Sequence, residues 1–168
     1  MPTRAYVGLG SNLVHPRRQL ARALAALARL PRTRVVHTSG NYASAPIGDA
    51  RQPDYVNAVA VLSTSLSPRA LLSRLLAIER RQRRRRDADT PRNAPRTLDL
   101  DLLLFGRRRL AGAALTLPHP RMHERAFVLR PLTDVAPAVT IPGRGLARKR
   151  LPAVRGQRIA RTRSHVLH

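Results

Sequence analysis

The chain has no cysteine and no tryptophan in its 168 residues, and only five aromatic side chains, three Tyr and two Phe. Disulfides and thiolate metal sites are thereby excluded, and Leu, Val and Ala must fill the core. Lysine is almost missing: Lys149 stands alone beside the arginines. Acidic residues number nine against thirty-two basic ones, a formal charge of +23. A field of that sign attracts nucleotides, polyphosphates or nucleic acid without choosing among them. No apolar run approaches the roughly 18–20 residues that cross a bilayer, and the start MPTRAYVGLG lacks a charged n-region followed by a long apolar stretch. A soluble cytoplasmic protein of one domain is expected.

What is present alternates between strand-like and helix-like patterns. Residues 5–10, AYVGLG, read as a strand entering a Gly-Ser-Asn turn. From Pro16 to Leu30 the spacing of Leu20, Leu24 and Leu27 predicts an amphipathic helix. Val35 to Tyr42 and Tyr55 to Leu62 read as strands, separated by the Pro-, Gly- and Asp-rich loop 44–54. Ser67-Pro68 opens a second helix, with Leu71, Leu75 and Ile78 as its buried stripe, backed by Leu72 and Leu76. A mobile arginine-rich loop, RRQRRRRDADTPRNAP, is expected next. Thr97 to Phe105 is the strongest strand, followed by a hairpin through Arg107–Leu117, a turn and a helix. This order predicts a ferredoxin-like α/β (α+β) fold, a mainly antiparallel sheet with helices packed on one face. From Gly143 onward no acidic residue occurs, and a basic tail, partly helical at best, is expected.

Two of the nine acids, Asp99 and Asp101, sit one residue apart at the mouth of an apolar run. On a strand, Thr97, Asp99, Asp101, Leu103 and Phe105 share one face, with the carboxylate-bearing Cα atoms roughly 7 Å apart. Such a pair suits hard cations at phosphoryl chemistry; an ion cluster with neighbouring arginines is the alternative. The run Arg83–Arg86, with Arg92 and Arg96, can close guanidinium groups on a triphosphate, or stand as a solvated charge run. GLGSN has neither GxxxxGK[ST] nor GxGxxG and reads as a tight turn. His119 and His123 are four apart but lack an HExxH frame, so nucleotide contact or packing is expected rather than zinc. Tyr55 and Asn57 share a strand face and would suit a flat, hydrogen-bonding heterocycle, as would many half-buried strand residues.

GLGSNL, SAPIG followed by QPDYVNAV, the helix ending in IER, PRTLDLDLLLFG and LPHPRMHERAFVLRPL occur in unbroken order over residues 4–142. Together they resemble the bacterial 6-hydroxymethyl-7,8-dihydropterin pyrophosphokinases of folate biosynthesis. The resemblance implies a ferredoxin-like monomer, with 1–142 as the pyrophosphokinase domain and 143–168 as a basic C-terminal extension. It implies transfer of pyrophosphate from ATP to the pterin's hydroxymethyl group, releasing AMP, with no membrane and no specific nucleic acid as partner. By motif, Asp99 and Asp101 would hold two Mg²⁺ ions. Ser44, Ala45, Ile47, Tyr55, Asn57 and Phe127 would line the pterin pocket. Arg84 and Arg96 would be catalytic; these two and Arg86 would bind phosphate, and Glu79, Leu102, Thr116, His119 and Arg125 would face the nucleotide. Asn93 and Ala94 stand where family members often carry an aromatic residue and a glycine, and the loop between Glu79 and Pro95 is about two residues longer than the family's. The rival from another class is a basic nucleic-acid-binding protein on the same fold.

Overall fold

The computed structural model describes residues 1–12, 15–45, 54–84 and 98–162. Ala5, Val7 and Leu9 alternate with Tyr6, Gly8 and Gly10, so β1 (Thr3–Ser11) buries one apolar face. The GLGS stretch, expected as a turn, is thus strand. Pro16 supplies the first φ of α1 (Pro16–Ala28), which turns Leu20, Ala23 and Leu27 inward. The single strand expected from Val35 to Tyr42 is two, β2 (Thr33–Thr38) and β3 (Tyr42–Ser44). Ser39 parts them: its N–H donates to the Val59 carbonyl and its Oγ accepts from the Val59 N–H.

β4 (Tyr55–Thr64) is buried on both faces from Val56 to Leu62. Ser67 caps α2 (Pro68–Arg84), its Oγ accepting the Ala70 N–H at 3.2 Å. Leu71, Leu75 and Ile78 are buried as the spacing predicts, whereas Leu76 is 39% exposed. It follows Leu75 by about 100° around the helix, outside the stripe. Then come β5 (Leu98–Phe105), a hairpin of β6 (Leu110–Ala111) and β7 (Thr116–Leu117), a 3-10 turn at Met122–Glu124 and α3 (Ala126–Val135).

The sheet runs β10-β3-β4-β1-β5, where β10 is Ile159–Arg161 near the end of the chain, with β2 also on β4, and every pairing in it is antiparallel. The mixed α/β class follows the sequence reading, but the helices cover both faces. α1 and α2 pack on Ala5, Val7, Leu9, Leu98, Leu100 and Leu102. Val59, Leu103 and Leu104 offer a second apolar surface, which α3 covers through Leu129 and Leu132. Each fully buried Leu contributes about 1.5–3 kcal/mol, so both layers matter to stability.

A register shift adds Leu104 to the second surface. Tyr6 pairs with Leu104 but Val7 with Leu102, so Leu103 is an extra residue in β5. Strict alternation places Phe105 on the Asp99 face; past the shift it instead joins Leu98, Leu100 and Leu102 in the first cluster. Leu103 and Leu104 both enter the second.

The segment from Gly143, expected as a loose basic tail, is structured through Arg161. β8 (Thr140–Ile141) pairs with β9 (Gly145–Leu146), a 3-10 segment spans Ala147–Val154, and β10 (Ile159–Arg161) joins the sheet beside β3. Sparse apolar residues among the arginines anchor it: Ala147 and Val154 are buried, with Leu151 and Ile159 packed alongside. Among the described residues no helix is long and apolar enough to cross a membrane.

Candidate active site

The middle rungs of the sheet bring the chemistry together. Gly10 pairs with Asp99 on β5 and with Asn57 on β4; Gly8 pairs with Asp101 and with Val59. The two glycines therefore leave the strip of sheet between the carboxylates and the Asn57 amide without side chains. A Cβ on Gly10 would stand 3.0 Å from Asn57 Oδ1. Above this floor lies a cavity of about 190 Å³, with Asp99 and Asp101 at one end and Ser44, Ala45, Tyr55 and Asn57 at the other. Arg125 and Phe127, from the start of α3, complete its lining. The Arg125 guanidinium lies 5.5 Å from the Phe127 ring centroid, an attractive cation–ring contact that steadies both. Asn57 is oriented by donating from Nδ2 to Ser44 Oγ at 2.7 Å.

Behind the carboxylates stands a charged chain from α2. Glu79 Oε1 accepts the Leu100 N–H at 2.7 Å. Arg83 Nη2 lies 3.8 Å from Glu79 Oε2 and 3.7 Å from Asp99 Oδ1, and it donates to the Leu98 carbonyl. With about 45% of the Arg83 and Asp99 side chains exposed, this ion pair contributes little to stability. Burial raises the Glu79 pKa above the ordinary carboxylate value; the Leu100 hydrogen bond and Arg83 oppose this, and Asp99 and Asp101 add to it. The folded chain thus holds this proton more tightly than the unfolded one. Stability should be fully present below the ordinary glutamate pKa and fall as pH rises through it toward the raised folded value. Glu79→Gln keeps an acceptor for Leu100 and should flatten that fall. Urea midpoints of the two metal-free proteins, compared across the mildly acidic range, check this; a difference independent of pH would contradict it.

His119 sits beside the Asp101 end. Its N–H donates to the Leu103 carbonyl at 2.9 Å and its Nδ1 accepts from the Arg121 N–H. Burial lowers its pKa, Asp101 pulls it up, and Arg125 and Arg121 push it down. The ring is therefore neutral near neutral pH, with its proton on Nε2. His123 faces other charges, Glu124, Arg144 and Arg150, so the two histidines do not act as a pair.

The 7,8-dihydro-6-hydroxymethylpterin-pyrophosphokinase (HPPK) family model matches residues 6–137. The chain belongs to this family. It is 53% identical over 142 residues to the 2-amino-4-hydroxy-6-hydroxymethyldihydropteridine pyrophosphokinase of Pseudomonas aeruginosa, covering 84% of this chain and 86% of that one. The enzyme of the same name from Haemophilus influenzae is 48% identical over 138 residues, 82% and 84% of the two chains. The wild-type HPPK-DHPS protein of Plasmodium falciparum shares the fold at a TM-score of 0.69 and 12% identity. That match covers 91% of this chain and 43% of the Plasmodium chain, so this protein spans less than half of the larger one.

Against the HPPK motif, the structure brings Ser44, Ala45, Tyr55, Asn57, Phe127, Arg125, Asp99 and Asp101 around one cavity. Glu79 and His119 stand just outside it, tied to β5 by their hydrogen bonds. Thr116 lies exposed on the β6–β7 hairpin. The Leu102 side chain is buried in the core among the α1 and α2 contacts, so only its backbone is turned to anything else. Arg84 closes α2; its side chain, with Ile47, Arg86, Arg96, Asn93, Ala94 and the rest of the expected arginine loop, lies outside the described residues. HPPK membership leaves the nucleic-acid alternative without support. The residues sequence reasoning missed are Gly8 and Gly10. Their signal was present: glycines two apart on a strand share a face, and here that face abuts the two aspartates.

Proposed function

We propose that this protein transfers the β,γ-pyrophosphoryl group of ATP to the hydroxymethyl oxygen of 6-hydroxymethyl-7,8-dihydropterin. A bond forms between that oxygen and the β-phosphorus, the bond from the β-phosphorus to the bridging oxygen breaks, AMP departs with that oxygen, and the hydroxyl proton goes to solvent. The observation that carries the reading is the glycine-floored cavity, with a pair of carboxylates at one end and Tyr55, Asn57 and Phe127 at the other. An aromatic ring and an oriented amide suit a flat heterocycle with hydrogen-bonding edges, Asn57 reading the edge while Tyr55 and Phe127 pack on the faces. Arg125 is placed to meet phosphate oxygens, and Arg84, Arg86 and Arg96 are assigned to the same task by motif.

The carboxylates fit magnesium. They are hard oxygen donors on one face of a strand, partly exposed toward the cavity. Among the described residues no group of three or more His, Cys, Asp and Glu could hold a metal. Two carboxylates alone suit an ion that completes its shell with water and substrate phosphate. Asp99 and Asp101 would hold two such ions, which when bound would neutralise charge on the triphosphate. The protein's own part is to hold the hydroxymethyl group in line with the β-phosphorus and to shield the reacting atoms, since this class of transfer needs positioning and charge neutralisation more than a strong base.

The test is to mix purified protein with ATP, Mg²⁺ and the dihydropterin and resolve the products. AMP with a diphosphorylated pterin, requiring both substrates and metal, is the expected result. ADP would mean single phosphoryl transfer and would overturn the proposal.

A further inference from the structure

The family match ends at residue 137, yet the chain beyond it reaches the supports of the cavity at three points. β10 adds to the outer edge of β3, pairing Ile159 with Ser44 and Ala160 with Ala43. Arg158 Nη2 donates to Asp54 Oδ1 at 2.9 Å, one residue before Tyr55. The third contact is the most directed. Gln157 Oε1 accepts the Ala126 N–H at 2.8 Å, while its Nε2 donates to the Glu124 carbonyl at 2.7 Å.

Glu124 and Ala126 flank Arg125. That residue enters α3 in extended backbone, φ −122° and ψ 114°, and has no side-chain cap of its own. Helix starts carry N–H groups that the helix itself does not satisfy. Here an amide from 31 residues away supplies the acceptor, and its other end holds the residue before the bend. A primary amide offers a neutral acceptor and donor on one planar group. The backbone is thus gripped on both sides of Arg125, and Arg125 and Phe127 are the two α3 residues that lie over the cavity in mutual contact.

We infer that Gln157 is a positioning residue for the transfer reaction, holding the start of α3 so that Phe127 meets the bound pterin, with Arg125 steadied beside it toward the phosphates. The inference rests on the functional reading above. The Arg158–Asp54 pair is exposed and contributes little by itself, so Gln157 is the residue to change.

Wild type, Gln157→Ala and Arg150→Ala are to be compared by pterin binding in calorimetry with a non-hydrolysable ATP analogue, by steady-state kinetics, and by Tm. Arg150 donates to the Arg144 carbonyl within the same C-terminal segment, so its loss perturbs that segment away from the cavity. Losing two directed hydrogen bonds should raise the pterin Kd and KM of Gln157→Ala about tenfold. Its kcat at saturation should be retained, because Gln157 touches no reacting atom, and Arg150→Ala should bind pterin like wild type. Wild-type affinity in Gln157→Ala would overturn the inference, as would an equal loss in Arg150→Ala, which would mark a general loosening of the segment. Wild-type protein that neither binds pterin nor releases AMP would overturn the functional reading and this inference with it.

Discussion

Replacing Asp99 or Asp101 by alanine should lower turnover by about three orders of magnitude or more if, as proposed, each helps hold the ions that neutralise the triphosphate, an effect of several kcal/mol. Both residues project from the face of β5 that borders the cavity, and no third carboxylate or histidine among the described residues stands ready to replace them as a ligand. The fold should survive. Asp99 is partly exposed, and its ion pair with Arg83 spans 3.7 Å, a geometry worth little. Removing one of two neighbouring negative charges also relieves repulsion. Single-turnover AMP release, measured beside a thermal melt, separates the two effects. Near-normal turnover in either variant would remove the carboxylates from the chemistry, whereas a collapsed melt would assign them a structural role.

Gly10→Val should weaken pterin binding about a hundredfold, the equivalent of roughly 2.7 kcal/mol. Its first carbon would already stand 3.0 Å from Asn57 Oδ1 and 4.0 Å from Tyr55 Cδ1, and the branch would fill the space where a ring must lie. Valine suits a strand better than glycine does, so the melt should hold or rise while binding falls. That opposition makes the result diagnostic. Gly8→Val should do less, because the nearest atoms to a Cβ there belong to the Leu103 side chain, from 3.4 Å, and not to the residues assigned to the ring. Calorimetry of pterin with an ATP analogue decides the matter; equal losses at both positions would mean that the floor is not where the ring sits.

The elements were legible in the sequence because their signals are local. Ser67 and Pro68 announce a helix start, and Ala5, Val7 and Leu9 announce a strand. What escaped was set by pairing between distant segments. The extra residue at Leu103 exists only through the register of β1 against β5, so alternation put Phe105 on the wrong face. The same shift adds Leu104 to the apolar cluster that includes α3. Gly8 and Gly10 looked like a turn because glycine more often marks one; only the two partner strands show that they are a floor. The extension past Gly143 looked loose because its few apolar residues are spread among arginines, and their anchoring role appears only once α3 is beside them. Within the candidate site, the motif had already gathered Asp99, Asp101, Asn57, Tyr55 and Phe127. Gln157 carried no motif at all, since its meaning lies in two backbone groups far earlier in the chain.

β5 is the outer strand of the sheet, and three of its backbone groups are taken by contacts from outside the sheet. Arg83 takes the Leu98 carbonyl, Glu79 the Leu100 N–H, and the N–H of His119 the Leu103 carbonyl. LDLDLLLF on an open edge would be a ready template for a second copy of the chain. The occupied backbone removes the template, and the two aspartates interrupt the apolar run as gatekeepers against stacking. The pair of side chains assigned above to the metal ions would thus also guard the edge against aggregation.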